Sequence, residues 1–174
     1  MSSAEKLRKI ENALKEPFLP EEIEWRVQQQ GLRKDGTPYA MVLAYVQNRA
    51  IMDRLDAVMT PFGWQNEFVE LSDGSMYCRI GLRIGDDWIW KGDGAGKTNI
   101  EATKGGFSDA MKRAGYQWGI GRYLYNLDTG WAEFVPKGKH KYHTKIDKKY
   151  YYWNPPALPG WAMPKGSNAN GVPA

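Results

Sequence analysis

Residues 64–90, WQNEFVELSDGSMYCRIGLRIGDDWIW, change the period of this chain and decide its fold class. Trp64 to Leu71, Met76 to Ile84 and Trp88 to Trp90 read as three strands. Between them lie Ser72-Asp73-Gly74-Ser75 and Gly85-Asp86-Asp87, both with the glycine and small polar residues that close hairpins. An antiparallel meander is the natural outcome. Helical spacing flanks it: Ile51, Leu55, Val58 and Met59 before it, stopped by Pro61 and Gly63, and Phe107, Met111, Ala114 and Trp118 after it. Consecutive strands followed by a helical C-terminal half predict an α+β domain with helices on one face of the sheet, not alternating βαβ units.

Toward the N-terminus, Tyr39 to Val46 reads as a strand covered on both faces, after the turn Lys34-Asp35-Gly36-Thr37. Ile23, Trp25 and Val27 alternate with Glu24 and Arg26, the period of a half-buried strand. Leu7, Ile10 and Leu14 give residues 3–15 an amphipathic helix, with Ser2 and Glu5 as a capping box and Pro17 and Pro20 to end it. Toward the C-terminus, Thr98 and Glu101 have capping-box spacing, and Gly105-Gly106 interrupts the helix that follows. Two interior glycines cost about 2 kcal/mol relative to alanine, so either the helix starts near Phe107 or another backbone packs closely on the pair. Ile120 to Tyr125 reads as a separate short helical turn. Beyond Val135 no period is evident. Aromatic clusters, Pro155-Pro156-Ala157-Leu158-Pro159 and a polar end predict that residues 137–174 form an extended or partly disordered tail after a core of residues 1–136.

The 42% apolar and 25% charged content of the 174 residues suits one globular domain with a tail. No apolar run reaches membrane-spanning length and Met1 to Glu16 is charged and periodic, so the expectation is an intracellular protein with no membrane partner. Cys78 is the single cysteine, which leaves no internal disulfide and points to a buried thiol in a strand. The net charge of +4 is uneven, because residues 137–174 hold seven lysines against Asp147 alone, a net of +6. The remainder is therefore −2, from +4 less +6. Any nucleic-acid face on the core must come from local placement of cations.

Gly92-Asp93-Gly94-Ala95-Gly96-Lys97-Thr98 has the look of a phosphate loop, but the first glycine would have to fall where Lys91 stands, and the parallel βαβ setting is missing. A flexible glycine loop between a strand and a helix is the reading kept, with Lys97 a candidate phosphate contact. His140 and His143 lack a cysteine or carboxylate at ligand spacing, so no metal is expected. Asp86-Asp87 and Glu21-Glu22 sit at turn and strand-start positions without a third ligand or a base. No catalytic set, metal or cofactor emerges, and the chain reads as a binding protein.

The informative segment runs from Phe107 to Leu127. Its apolar stripe buries one face, and the other presents Lys112, Arg113, Tyr116 and Gln117, with Lys104 before them and Arg122 after. Cations interleaved with an aromatic suit a single strand, charge for phosphates and a flat ring for bases. The plain alternative is a solvated helix face on which Asp109 pairs with Arg113 at i, i+4, and periodicity alone favours that alternative.

Ser-Asp-Ala-Met-Lys-Arg-Ala at 108–114 and Trp118-Gly119-Ile120-Gly121-Arg122-Tyr123-Leu124-Tyr125 resemble the signature helix of the Rad-fifty-two-type single-strand annealing proteins, including short phage-encoded Sak-like members. Weaker similarity runs from Leu19 to Trp64, and the whole covers about residues 19–127. The resemblance implies a β-β-β-α core with a curved antiparallel sheet and a long signature helix, a homo-oligomeric ring, a basic groove for single-stranded DNA, and no catalysis. It implies ATP-independent annealing in homologous recombination and double-strand break repair, in the cytoplasm of a bacterial host. Carried over by position, Lys112 and Arg113 match the groove pair, Lys104 a lysine eight residues earlier, Arg26 a strand arginine and Tyr45 a groove tyrosine. Two positions depart from the pattern: Tyr116 stands where an arginine is expected, and the outer-site lysine falls near Ser75. A second DNA site is accordingly less supported, with Lys97 its candidate.

Two rival readings follow from other features. The tail, with Trp153 and Trp161 flanked by prolines, suits an adaptor that docks a single-strand DNA-binding protein or an exonuclease. A metal-dependent nuclease assembled from distant carboxylates is the other.

Overall fold

The computed structural model describes residues 2–96, 102–127, 130–143 and 148–166, excepting the side chains of residues 102–104 and of Tyr142. Its elements are α1 (Ser3–Lys15), β1 (Ile23–Leu32), β2 (Pro38–Val46), α2 (Asn48–Met59), β3 (Trp64–Glu70), β4 (Met76–Ile84), β5 (Asp87–Ala95) and α3 (Ala102–Gln117). Four short strands follow: β6 (Gly130–Trp131), β7 (Glu133–Val135), β8 (His140–His143) and β9 (Tyr150–Asn154). The chain divides into two compact units. Residues 1–18 and 46–123 make the first, and residues 19–45 and 124–174 the second.

The first unit is built on the antiparallel sheet β3-β4-β5, the meander expected from residues 64–90. Ile84 pairs with Asp87, which leaves a two-residue hairpin whose first residue, Gly85, has φ +66°. Glycine takes that backbone at little steric cost. Alternation along β4 buries Met76, Cys78, Ile80 and Leu82, and α3 packs on β4 and β5 with Ala110, Met111 and Ala114 buried. Burial pushes the Cys78 thiol up to about 12, so this cysteine is inert core rather than a nucleophile. At the end of α3 the Trp118 indole N–H donates to the Ile80 carbonyl at 3.0 Å.

On the other side of the unit, α1 opens with the predicted capping box. Glu5 N–H donates to Ser2 Oγ at 3.2 Å, and Ser2 N–H donates to the Glu5 carboxylate at 2.5 Å. The closing end of α1 is tied to α2 by Arg54, whose guanidinium donates to the Ala13, Glu16 and Pro17 carbonyls and stacks 4.3 Å from the Phe18 ring centroid. Arginine can do this because its planar fork reaches several orphan carbonyls at once.

Three expectations change here. First, β5 does not stop at Trp90: it continues to Ala95, with Asp93 opposite Cys78 and Ala95 opposite Met76. The glycine-rich stretch read as a flexible loop is therefore strand up to Ala95. Its glycines provide room, since a Cβ on Gly92 would lie 2.3 Å from the Tyr77 hydroxyl oxygen. Second, β1 runs beyond Val27 to Leu32. Third, α3 passes through Gly105-Gly106. The helix therefore does not begin near Phe107; Gly106 is buried, and a Cβ there would make an ordinary contact, 3.5 Å from Met76 Cβ. The proposed Thr98–Glu101 cap lies outside the described residues.

The second unit has two sheets of its own. In the first, order β1-β2-β6, Met41 pairs with Trp131 and Val42 with Gly130. In the other, order β7-β9-β8, Phe134 and His140 both pair with Trp153. The described residues 137–143 and 148–166 are thus more structured than the extended tail expected, because β9 carries ring surface enough to hold short strands together. Trp153 is 3% exposed, His140 stacks on it at 4.3 Å, and Phe134 meets Tyr151 edge-on at 5.9 Å. Strands of three to five residues are too short for their alternation to stand out in sequence. No helix among the described residues is long and apolar enough to cross a membrane.

Candidate nucleic-acid interface

The α3 helix supplies the strongest group of candidate residues. Its buried stripe turns Arg113 and Gln117, one helical turn apart, outward toward β5. There they meet Asp93. Arg113 donates to Asp93 Oδ1 through Nε at 3.3 Å and Nη2 at 3.2 Å, and Gln117 Nε2 donates to Asp93 Oδ2 at 3.2 Å. Burial opposes ionisation of Asp93, yet the bonds from Gln117, the Gly94 N–H and Arg113 outweigh it and hold its carboxyl below the ordinary range. Arg113 is oriented rather than consumed, because its side chain remains 45% exposed and a guanidinium has five donors.

Lys112, on the adjacent side of α3, stands 3.8 Å from Asp109 Oδ1, with its side chain 20% exposed. The simple surface pairing of Asp109 with Arg113 is therefore not what forms: Asp109 meets Lys112, and Arg113 reaches across to the sheet. Tyr116 is half-buried. Arg122, expected as a DNA contact, also has a structural task. It donates to the Tyr116 carbonyl at 2.6 Å and the Gln117 carbonyl at 2.9 Å, satisfying acceptors left open at the C-terminus of α3. Lys91 joins it on the Gln117 carbonyl at 3.3 Å.

Among the remaining candidates, Lys104 lies on α3, its side chain outside the described set, and Lys97 is outside the described residues altogether. Arg26 and Tyr45 belong to the second unit, on neighbouring strands. Arg26 is exposed, and the Tyr45 hydroxyl donates to Glu24 Oε2 at 2.6 Å. Burial first, then that bond to the Glu24 carboxylate, push the Tyr45 phenol up to about 12, so it stays protonated at any physiological pH. Sequence reasoning missed Asp93, because nothing in Gly92-Asp93-Gly94-Ala95 marks that stretch as strand.

His140 and His143 take aromatic and backbone partners: His140 on Trp153, His143 against Tyr150 at 4.8 Å and 2.8 Å from the Lys148 carbonyl oxygen. No group of three or more metal-ligating side chains occurs among the described residues.

The Asp93 arrangement predicts a pH effect. A depressed folded-state pKa adds stability that is complete above the unfolded carboxylate value of about 4 and disappears as pH falls through the folded value. Asp93→Asn should therefore be less stable than the parent at neutral pH, with the two converging in urea melts as the pH is lowered through the acid range. A gap that stays constant across that range would contradict the assignment.

The sequence of this chain has known counterparts. Residues 6–143 match the Rad52/22 family of double-strand break repair proteins, and the chain belongs to that family. It is 32% identical over 161 residues to the single-stranded DNA-binding protein DdrA of Deinococcus radiodurans, covering 91% of this chain and 70% of that one. With the protein of the same description from Deinococcus deserti it shares 31% identity over 168 residues, 95% of this chain and 76% of the relative.

Proposed function

We propose that this protein binds single-stranded DNA in DNA repair and anneals complementary strands without ATP. The observation that carries the reading is its similarity, over nine-tenths of its length, to proteins described as single-stranded DNA-binding. Lys112 and Arg113 take phosphates, while Asp93 and Gln117 hold the guanidinium in place. Arg26 and Tyr45 in the second unit, with Lys104, Lys97, Tyr116 and Arg122, are further contacts. Because residues 1–136 carry a net charge of −2, binding is concentrated at a few cations, and repetition around a homo-oligomeric ring multiplies them. The bound strand keeps its base edges available, so pairing with a second strand supplies the driving force.

Lys112→Ala tests the site. It should weaken binding of an oligothymidylate several-fold and reduce the slope of log affinity against log salt by about 0.7 for each phosphate contact removed. Unchanged affinity and slope would remove Lys112 from the interface. Annealing itself is read by the rate at which complementary oligonucleotides pair with the protein and no nucleotide present. A rate equal to that without protein contradicts the annealing reading and leaves strand binding standing.

A further inference from the structure

A second feature of the first unit shares Arg122 and Gln117 with the proposed DNA site. A concavity of about 300 Å3 lies between α1, the β4–β5 hairpin and the end of α3. Leu7, Ile10, Ile84, Ile89 and Trp118 give it an apolar floor, of which Leu7 and Ile89 are each 45% exposed. Three cations, Lys15, Lys91 and Arg122, and one acid, Glu11, surround that floor. Lys15 and Glu11 cancel in an ion pair at 2.5 Å. Lys91 and Arg122 instead share the Gln117 carbonyl, at 3.3 Å and 2.9 Å. A carbonyl is a neutral acceptor, so both keep their formal charge, and both are held in position beforehand.

We infer that this concavity docks an acidic peptide segment that carries a bulky apolar residue. The apolar side chain fills the floor, and the neighbouring carboxylates meet Lys91 and Arg122. Charge complementarity selects the occupant: an apolar centre with a cationic edge matches an apolar anchor beside acids. The volume, at the low end for a ligand pocket, suits one or two side chains rather than a whole helix. A nucleobase fits less well, because the floor is mainly aliphatic and its one aromatic is engaged. Lys91 Nζ sits 4.5 Å from the Trp118 ring centroid, and the Trp118 N–H is given to Ile80, whereas base binding wants a free flat ring. Residues 137–174 of the chain itself have the wrong sign, with seven lysines and one acid. The occupant is therefore a partner protein with an acidic, apolar-anchored segment, brought to the same molecule that holds the DNA.

The test is fluorescence anisotropy of a labelled peptide, an aspartate run closed by a C-terminal Leu-Phe, titrated with the full chain. The parent should bind it, and Ile89→Ser and Lys91→Ala should each bind about tenfold more weakly while keeping the parent's melting temperature and oligothymidylate affinity. Replacing the closing Leu-Phe by Ala-Ala, or the aspartates by lysines, should abolish binding. Lys91→Arg, which preserves the charge, should retain it and decides the matter if Ile89→Ser is poorly folded. Absence of peptide binding by the parent overturns the inference, as does equal binding by both variants or equal binding of the Ala-Ala peptide. Loss of oligothymidylate binding in Ile89→Ser would reassign the concavity to nucleic acid, and a changed molecular mass of that variant would reassign it to contact between copies. Because the probe contains no nucleic acid, failure here and failure of the DNA-binding reading are distinguishable.

Discussion

Arg113→Ala is expected to weaken oligothymidylate binding about tenfold, and Asp93→Asn to strengthen it by a few-fold, although the two residues are bonded to each other. A charge-assisted hydrogen bond is worth about 1.5–3 kcal/mol, so loss of one phosphate contact accounts for the first effect. It also exposes a carboxylate, since Asp93 loses the guanidinium and keeps, among the described residues, Gln117 and the Gly94 N–H as partners. For the second, asparagine retains an oxygen that can accept from Arg113 while removing a negative charge from beside the strand. At about 7 Å and an effective dielectric near 60, that charge repels a phosphate by about 0.8 kcal/mol. Orientation of Arg113 is largely kept, so the electrostatic gain wins.

The double variant Arg113→Ala, Asp93→Asn should recover part of the loss, and the cycle of four proteins measures the coupling. Two outcomes would refute the arrangement: Arg113→Ala binding as tightly as the parent, or Asp93→Asn weakening binding. The second outcome would mean that the carboxylate is needed to position the guanidinium.

The other large effect concerns the corner between α2 and β3. A Cβ on Gly63 would stand 1.9 Å from the Met59 carbonyl oxygen and 2.9 Å from its carbon, and backbone cannot swing aside as a side chain can. Nor is the corner free to move. Thr60 sits at φ +60°, Thr60 N–H donates to the Asp56 carbonyl at 2.9 Å, and Arg83 N–H donates to the Gly63 carbonyl at 2.9 Å. The next residue, Trp64, donates its indole N–H to Asp56 Oδ1 at 2.6 Å. Shifting Gly63 therefore disturbs the helix end and the β3–β4 sheet together. Gly63→Ala should cost about 3 kcal/mol, the upper part of the usual range for overpacking. Gly160→Ala is the control, since nothing lies within 4 Å of its Cβ position. Equal urea midpoints for the two variants would show that the corner yields.

Local chemistry made much of this protein legible. The period change at Trp64, the glycine hairpin at Gly85 and the Ser2–Glu5 box are short-range signals, and α1, α2 and the β3-β4-β5 meander follow from them. The α3 cation pair was legible too, from residue type and from the resemblance around residues 108–125. Long-range pairing was not. Nothing in Gly92-Asp93-Gly94-Ala95 marks it as strand, and only the ladder offered by β4 makes it so. Likewise, the helix crosses Gly105-Gly106 despite the glycines, and β7, β8 and β9 are joined by ring pairs that meet across strands, His140 on Trp153 and Phe134 on Tyr151.

The amino-acid sequence by itself determined which elements form wherever periodicity and turn chemistry act within a few residues, and which cations α3 carries. Tertiary structure alone decided what those cations touch. Asp93 and Arg113 are 20 residues apart, so an ion pair between them depends on β5 extending far enough to lie beneath α3. That extension is set by hydrogen bonds to another strand, which no local pattern records.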